Sequence, residues 1–297
     1  MVNDMAYYED TAFLKACSSV FSSRNINETA WYGSTENNNY IFNVLSRQYI
    51  VDKKMGLRDF FDCVYCILLN HRRSEYVYKN TMIKKKIYGT YSPKTTIWIP
   101  EVKIAGARAD AIFVNKNKKA VVYEIKTELD SLSRLRDQVQ AYYRCFSNVV
   151  LVVDSKHKSK VADYVPESVG INVLTKNKTV SVVRESKDFF GLLDSASMFD
   201  LLKKKEYESL ACSLELDILS FSKFERCKRI RDLFSKESPI KMHTALLSVL
   251  SDRVENNVKP SIVDFIPDSL IAAFYEYKIR KCDWLSLIDR FDKPIII

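Results

Sequence analysis

From the start of the chain to about residue 90, apolar side chains recur every three or four positions, the period of an amphipathic helix. Phe13, Leu14, Cys17 and Phe21 form one such stripe, residues 56–70 a second. A third runs over 75–87, marked by Tyr76, Lys79-Asn80, Ile83 and Ile87, before Gly89 and Pro93 punctuate a loop. From about 96 to 185 the pattern shifts to short β-rich runs. Residues 96–104 alternate, 109–114 are apolar apart from Asp110, and 120–126 follow a turn at Asn115-Lys116-Asn117-Lys118, which predicts a meander of three adjacent strands. Asp130 or Ser131 then caps a predicted helix whose buried face is Leu132, Leu135, Val139, Tyr143 and Phe146. Residues 149–153 read as a strand covered on both faces, with further strands at 171–174 and 180–183. From about 189 the chain is helical again, over 195–216, 222–234, 241–254 and 267–280, with Pro267 and Asp268 in the first turn of the last. The pattern predicts an α/β fold with a helical N-terminal segment (1–70), a central core (71–187) and a helical C-terminal region (188–297).

Composition narrows the class. The 297 residues are 47% hydrophobic and 28% charged, enough to build a core. The longest apolar run, at 63–69, falls far short of a membrane span, and the acidic, mixed N-terminus predicts neither secretion nor a membrane partner. Seven scattered cysteines fit reduced thiols and a cytoplasmic protein. Cys63-x-x-Cys66 has half a zinc site's spacing, but no second pair completes it, and both read as core thiols. Forty-six Lys and Arg against 37 Asp and Glu leave a formal charge of +9, which suits a phosphate-rich partner as well as simple solubility.

The informative stretch runs from Glu101 to Tyr142. It holds Arg108-Ala109-Asp110, then Glu124-Ile125-Lys126, then Gln138-x-x-x-Tyr142. Strand side chains alternate faces, so Glu124 and Lys126 point the same way, as do Arg108 and Asp110. If the two strands pair, Asp110 and Glu124 converge beside Lys126. Two carboxylates can hold Mg²⁺, and an ammonium beside them can orient a water and stabilise an anionic transition state, the outline of phosphodiester hydrolysis. Glu-x-Lys occurs four times in the chain, at Glu101, Glu124, Glu185 and Glu276, and an exposed pair is its usual meaning. Glu124-Ile125-Lys126 alone embeds its charges in a strongly apolar strand, where they are expensive unless used or paired. Arg134, Gln138 and Tyr142, at steps of four, form a stripe along the following helix that can reach the carboxylates or a nucleic-acid strand.

These residues in this order resemble the PD-(D/E)xK nuclease superfamily. The longer pattern, Ser74-Glu75-Tyr76-Val77-Tyr78-Lys79-Asn80, Glu101, Arg108-Ala109-Asp110 and the run from Tyr123 to Gln138, resembles an uncharacterised prokaryotic and phage-associated branch of it. The resemblance implies a restriction-endonuclease-like core with a mixed sheet flanked by helices. It implies that Asp110 and Glu124 bind Mg²⁺, or Mn²⁺ in its place, that Lys126 is the catalytic lysine, and that Glu75 completes the metal set. Gln138 and Tyr142 match a motif that positions metal or the nucleic-acid strand, with Glu101, Arg108 and Arg134 in support. Alanine at 109 replaces the motif's proline. The expected function is a metal-dependent nuclease acting on nucleic acid, DNA in preference to RNA, in phage defence, mobile-element biology or DNA repair, with an activating protein partner allowed and the oligomeric state open. The alternatives are a non-cleaving nucleic-acid-binding or assembly module on the same fold, or an RNase. His71, His157 and His243 share no motif and make no rival site. Lys84-Lys85-Lys86, Lys203-Lys204-Lys205 and the run Lys223 to Arg231 are basic clusters, and Tyr88, Tyr91 and Trp98 are candidates for base stacking.

Overall fold

A computed structural model of the protein describes residues 10–47, 54–175, 177–213, 222, 225–256 and 261–295. In chain order the elements begin with α1 (Thr11–Val20), α2 (Ser23–Tyr32), α3 (Glu36–Arg47), α4 (Leu57–His71) and α5 (Glu75–Ile83), which runs into a π-helical turn at Lys84–Thr90. Strands β1 (Thr96–Ile104), β2 (Ala107–Asn115) and β3 (Lys119–Lys126) follow, then α6 (Leu135–Tyr143), β4 (Val149–Asp154), β5 (Gly170–Leu174) and β6 (Val180–Arg184). Helices α7 (Ser195–Phe199), α8 (Lys204–Ser213), α9 (Arg226–Ser235), α10 (Pro239–Asn256), α11 (Ile271–Glu276) and α12 (Lys281–Ile288) close the described chain. Among the described residues no helix is long and apolar enough to cross a membrane.

The chain divides into two compact units, one made of Met1–Gly89 with Lys259–Ile297 and the other of Thr90–Val258. The regions read from the sequence follow chain order. The first unit instead joins the two ends of the chain, through contacts that hydrophobic periodicity does not reveal. Its helices bury the expected stripes: Phe13, Leu14 and Cys17 on α1, and Phe60, Phe61, Val64, Ile67 and Leu68 on α4. Cys66 is a correction. It is exposed, because it lies off that α4 stripe, while Cys63 is half-buried and its thiol is pushed up to about 11 by burial.

The motif around α5 does the joining. Tyr76 donates its hydroxyl to the Ser269 carbonyl at 2.6 Å. Asn80 donates to the Asp268 carbonyl at 2.9 Å and accepts the Ala272 N–H at 2.8 Å. Lys79, buried, lies 2.7 Å from Glu75 and 3.1 Å from Glu276. The helix expected over 267–280 is correspondingly shorter. A 3-10 turn at Asp268–Leu270 precedes α11, and the backbone leaves the helix at Tyr277, whose hydroxyl donates to the Phe21 carbonyl at 2.8 Å.

In the second unit the sheet order is β1-β2-β3-β4-β5-β6. β1, β2 and β3 form the expected antiparallel meander, β3-β4 and β4-β5 are parallel, and β6 returns antiparallel. The fold is thus α/β with a mixed sheet flanked by helices. Ala105 and Gly106, both with positive φ (47° and 91°), make the tight β1–β2 turn whose twist suits a hairpin. Residues 112, 114, 120 and 122 point to one face and join Leu135, Val139, Tyr142 and Tyr143 of α6 and Met242, Leu246 and Leu250 of α10 in a single core. Two helix boundaries differ from expectation. Helix α6 begins at Leu135 rather than after Asp130, because the Asp130 carboxylate instead accepts the Thr127 N–H and hydroxyl, both at 2.7 Å, closing the turn after β3. The single helix expected over 195–216 breaks between α7 and α8, where the Glu206 carboxylate accepts the Lys203 N–H at 2.6 Å and caps a new start; residues 214–216 lie outside the described residues.

Glu206 also receives two hydrogen bonds from the Arg253 guanidinium, at 2.6 and 2.7 Å. Burial works against its charged form, but the hydrogen bonds from Arg253 and Lys203 outweigh burial and hold the carboxyl below its ordinary value. A depressed carboxyl stabilises the fold above its unfolded pKa, and that contribution is lost as pH falls through the folded value. An Arg253→Met variant is therefore expected to be less stable than wild type at neutral pH, with the gap narrowing below about pH 4. Urea unfolding across that range checks this, and a gap of constant size would sink the assignment.

Candidate active site

Register brings three carboxylates into one row. On β1 and β2, Pro100 pairs with Ala111 and Val102 with Ala109, so Glu101 stands opposite Asp110. On β2 and β3, Ala111 pairs with Tyr123, and one step further puts Asp110 opposite Glu124. Carboxylate oxygens of Glu101 and Asp110 come within 4.8 Å of each other. Glu101 holds a φ of 53°, inside a strand and without the glycine that would make this easy, a conformation costing about 1–3 kcal/mol.

Glu124 is the hub. It is 2% exposed, and Lys126, two residues on and on the same face, is 9% exposed. The Lys126 ammonium donates to Glu124 Oε1 at 2.7 Å, and the Gln138 amide donates to the same oxygen at 2.7 Å. The Tyr142 hydroxyl lies 2.5 Å from Glu124 Oε2 and 2.8 Å from the Arg108 carbonyl. Burial, with the neighbouring charges of Glu124 and Asp110, pushes the Tyr142 phenol far up, so it stays protonated and can donate. One turn of helix separates Gln138 from Tyr142, which is why α6 presents both to the same carboxylate. Asp110 Oδ2 accepts the Ile125 N–H at 2.6 Å, tying the β2 carboxylate to the backbone between Glu124 and Lys126. Gln138 Oε1, also buried, has no hydrogen-bond partner among the described residues.

The remaining residues singled out in the sequence lie around this carboxylate row or away from it. Arg108, 59% exposed along its side chain, makes a long 3.6 Å ion pair with Glu101. Arg134 is exposed at the N-cap of α6, and both arginines line a groove between the β1–β2 turn and that helix. Glu75 opens α5 in the first unit, where Lys79 pairs with it. Trp98 is not a stacking platform: it is 4% exposed and lies against Tyr123 in the core. Tyr91 packs on Phe113, and the Tyr88 hydroxyl meets that of Tyr275 at 3.3 Å. Within the basic clusters, Lys84 pairs with Asp268 and Arg231 with Asp200; Lys223 lies outside the described residues.

Sequence reasoning missed one support. His157 Nε2 donates to the Thr127 carbonyl at 2.9 Å, next to Lys126, and the Lys156 ammonium donates to the Glu128 carbonyl at 3.1 Å. With the Thr127–Asp130 turn, these bonds clamp the chain where it leaves β3. The spacing Thr127-x-x-Asp130 was the available signal for the turn, whereas no local pattern ties His157 to it.

The family model described as bacteriophage P4 protein cII matches residues 69–264, well over half of the chain, a span that includes Glu101, Asp110, Glu124, Lys126, Gln138 and Tyr142. No curated protein matches the chain significantly. Among solved structures, a protein of unknown function from Silicibacter pomeroyi matches at a TM-score of 0.29 and 17% identity, over 44% of this chain and 86% of its own. A likeness that slight carries nothing about fold or activity.

Proposed function

This chain belongs to the bacteriophage P4 cII family, and from that phage-related setting and the site's geometry we propose a divalent-metal-dependent nuclease of the PD-(D/E)xK kind. Its substrate would be nucleic acid, DNA in preference to RNA. The observation that carries the reading is the Glu124–Lys126 pair, nearly buried on alternate residues of a central strand, in one row with Asp110 and Glu101. Two buried charges cost several kcal/mol each before pairing, and a well-packed apolar pair is often as stable. A role in chemistry explains their presence better than stability does.

The donor set fits a hard cation. Asp110 and Glu124, with Glu101 beside Asp110, offer only carboxylate oxygens, and the unpartnered Gln138 Oε1 adds a further acceptor beside them. Asp110 and Glu124 would hold Mg²⁺ or Mn²⁺, which when bound supplies charge stabilisation at the phosphate and a more acidic water. The protein's own groups supply position. Gln138 and Tyr142 fix both oxygens of Glu124, so the carboxylate is set before substrate arrives. Lys126 spends one of its three donors on Glu124 and keeps others for a water or a phosphate oxygen.

The test is cleavage of single- and double-stranded DNA and of RNA with Mg²⁺, Mn²⁺ or EDTA, comparing wild type with Asp110→Asn. Cutting that needs metal and falls at least a hundredfold in the variant is expected. Nucleic acid bound tightly yet uncut with either metal would favour a binding module, and RNA cut alone would make the protein an RNase.

A further inference from the structure

We infer that the groove between the β1–β2 turn and α6 is the track of a single nucleic-acid strand, gripped through its phosphates by Arg108 and Arg134. The inference rests on the nuclease reading for what happens to that strand, and on the groove itself for its binding. The groove encloses about 710 Å³ and is lined by the turn at Gly106, by Arg108, and by Arg134, Asp137, Gln138 and Ala141 of α6. Those α6 positions recur at three- and four-residue steps, so one face of the helix forms a continuous wall. From Arg134 to Ala141 that wall is about 10 Å long at 1.5 Å per residue.

The chemistry of the lining selects the ligand. Two guanidiniums stand at the opposite walls, one with a long ion pair to Glu101 and the other on the exposed N-cap of the helix. Guanidinium forks match phosphate oxygens, and both can turn to them with little loss of existing contacts. The turn contributes no bulk: a Cβ built at Gly106 would meet nothing within 4 Å, and residues 105 and 107 are alanines. A sugar-phosphate backbone can therefore approach closely. Asp137 would repel a phosphate, which assigns it to the base side, where a carboxylate accepts from the exocyclic amine of cytosine. Gln138 links the track to the chemistry, since it lines the groove while its amide holds Glu124 at 2.7 Å. At about 3.4 Å per nucleotide of one strand, the wall of about 10 Å spans about three nucleotides of a single backbone held between the two arginines. A single strand suits it.

Fluorescence-anisotropy binding of a short mixed-sequence single-stranded DNA oligonucleotide in EDTA, over a series of salt concentrations, tests this without requiring cleavage. Arg108→Gln and Arg134→Gln change exposed side chains, and each is expected to weaken binding and to lower the log–log salt slope by about 0.7. Arg136→Gln, on the same helix but off the groove, serves as the control and should keep the wild-type slope. Wild-type slopes in both groove variants, equal losses in the control, equally strong duplex binding, or no binding by wild type would each overturn the track. If both groove variants bind like wild type while metal-dependent cutting is observed, the groove fails and the nuclease reading stands. If the groove variants lose slope while no metal supports cutting, the track stands and the nuclease reading fails.

Discussion

Alanine at Glu124 is expected to abolish metal-dependent cleavage and to cost about 3–5 kcal/mol of stability, the range for breaking a buried ion pair. Three donors converge on this carboxylate, from Lys126, Gln138 and Tyr142, and its removal leaves the Lys126 ammonium at 9% exposure without that partner. Lys126→Ala removes the same ion pair from the other side, yet Glu124 keeps the Gln138 and Tyr142 bonds. Its stability loss should be clearly smaller although its activity loss is as complete. Glutamine at 124 keeps an acceptor for Lys126 and Gln138 but loses the negative charge, so it is not expected to restore cleavage. Denaturant unfolding of Glu124→Ala, Lys126→Ala and the double variant to apolar residues separates the two effects. The double variant should recover much of the stability lost in Glu124→Ala and none of the activity. Equal destabilisation by the two single changes would contradict the hub role of Glu124.

The second large effect lies in the first unit. Lys79→Met is expected to destabilise by about 3–5 kcal/mol, since Lys79 and Glu276 have side chains only 6% and 7% exposed and stand 3.1 Å apart. Glu75, half-exposed, can turn to water and loses little. The Tyr277 phenol reports on the same cluster: burial and the charge of Glu276 push it up to about 12, and Lys79 eases that rise. Removing the ammonium should therefore raise it further, which ultraviolet titration of tyrosine can follow. Chemical unfolding of Lys79→Met against a Lys79→Met, Glu276→Leu double variant gives the stability side. The double change should be the more stable of the two, and a single variant within about 1 kcal/mol of wild type would mean the pair contributes little.

Much of the second unit was legible because its rules are local. Alternation located β1 and short apolar runs bounded by turns located β2 and β3, and the period-two geometry of a strand put Glu124 and Lys126 on one face before any fold was known. Four-residue spacing on α6 foretold that Gln138 and Tyr142 act together. Helix ends were less legible, since they depend on which partner a polar side chain finds. Asp130 has the chemistry of an N-cap but closes the turn with Thr127, and Glu206 interrupts an apolar pattern that continues through it. Burial misled at Cys66 and Trp98: a run of apolar residues does not say which member turns outward, nor does an aromatic beside lysines advertise its exposure.

By itself the sequence determined the α/β character, the order of strands in the meander, and the residue types that can do phosphodiester chemistry, because alternation and helical period are properties of neighbouring residues. Only the tertiary structure decided that Glu101, Asp110 and Glu124 stand in one row, since that depends on the register of three strands and on a left-handed residue at 101. It alone decided that His157 steadies the end of β3 and that Asn80 and Lys79 bind a segment almost two hundred residues away. Contacts between such distant segments are chosen by the energy of the whole packed unit, which no window of sequence contains.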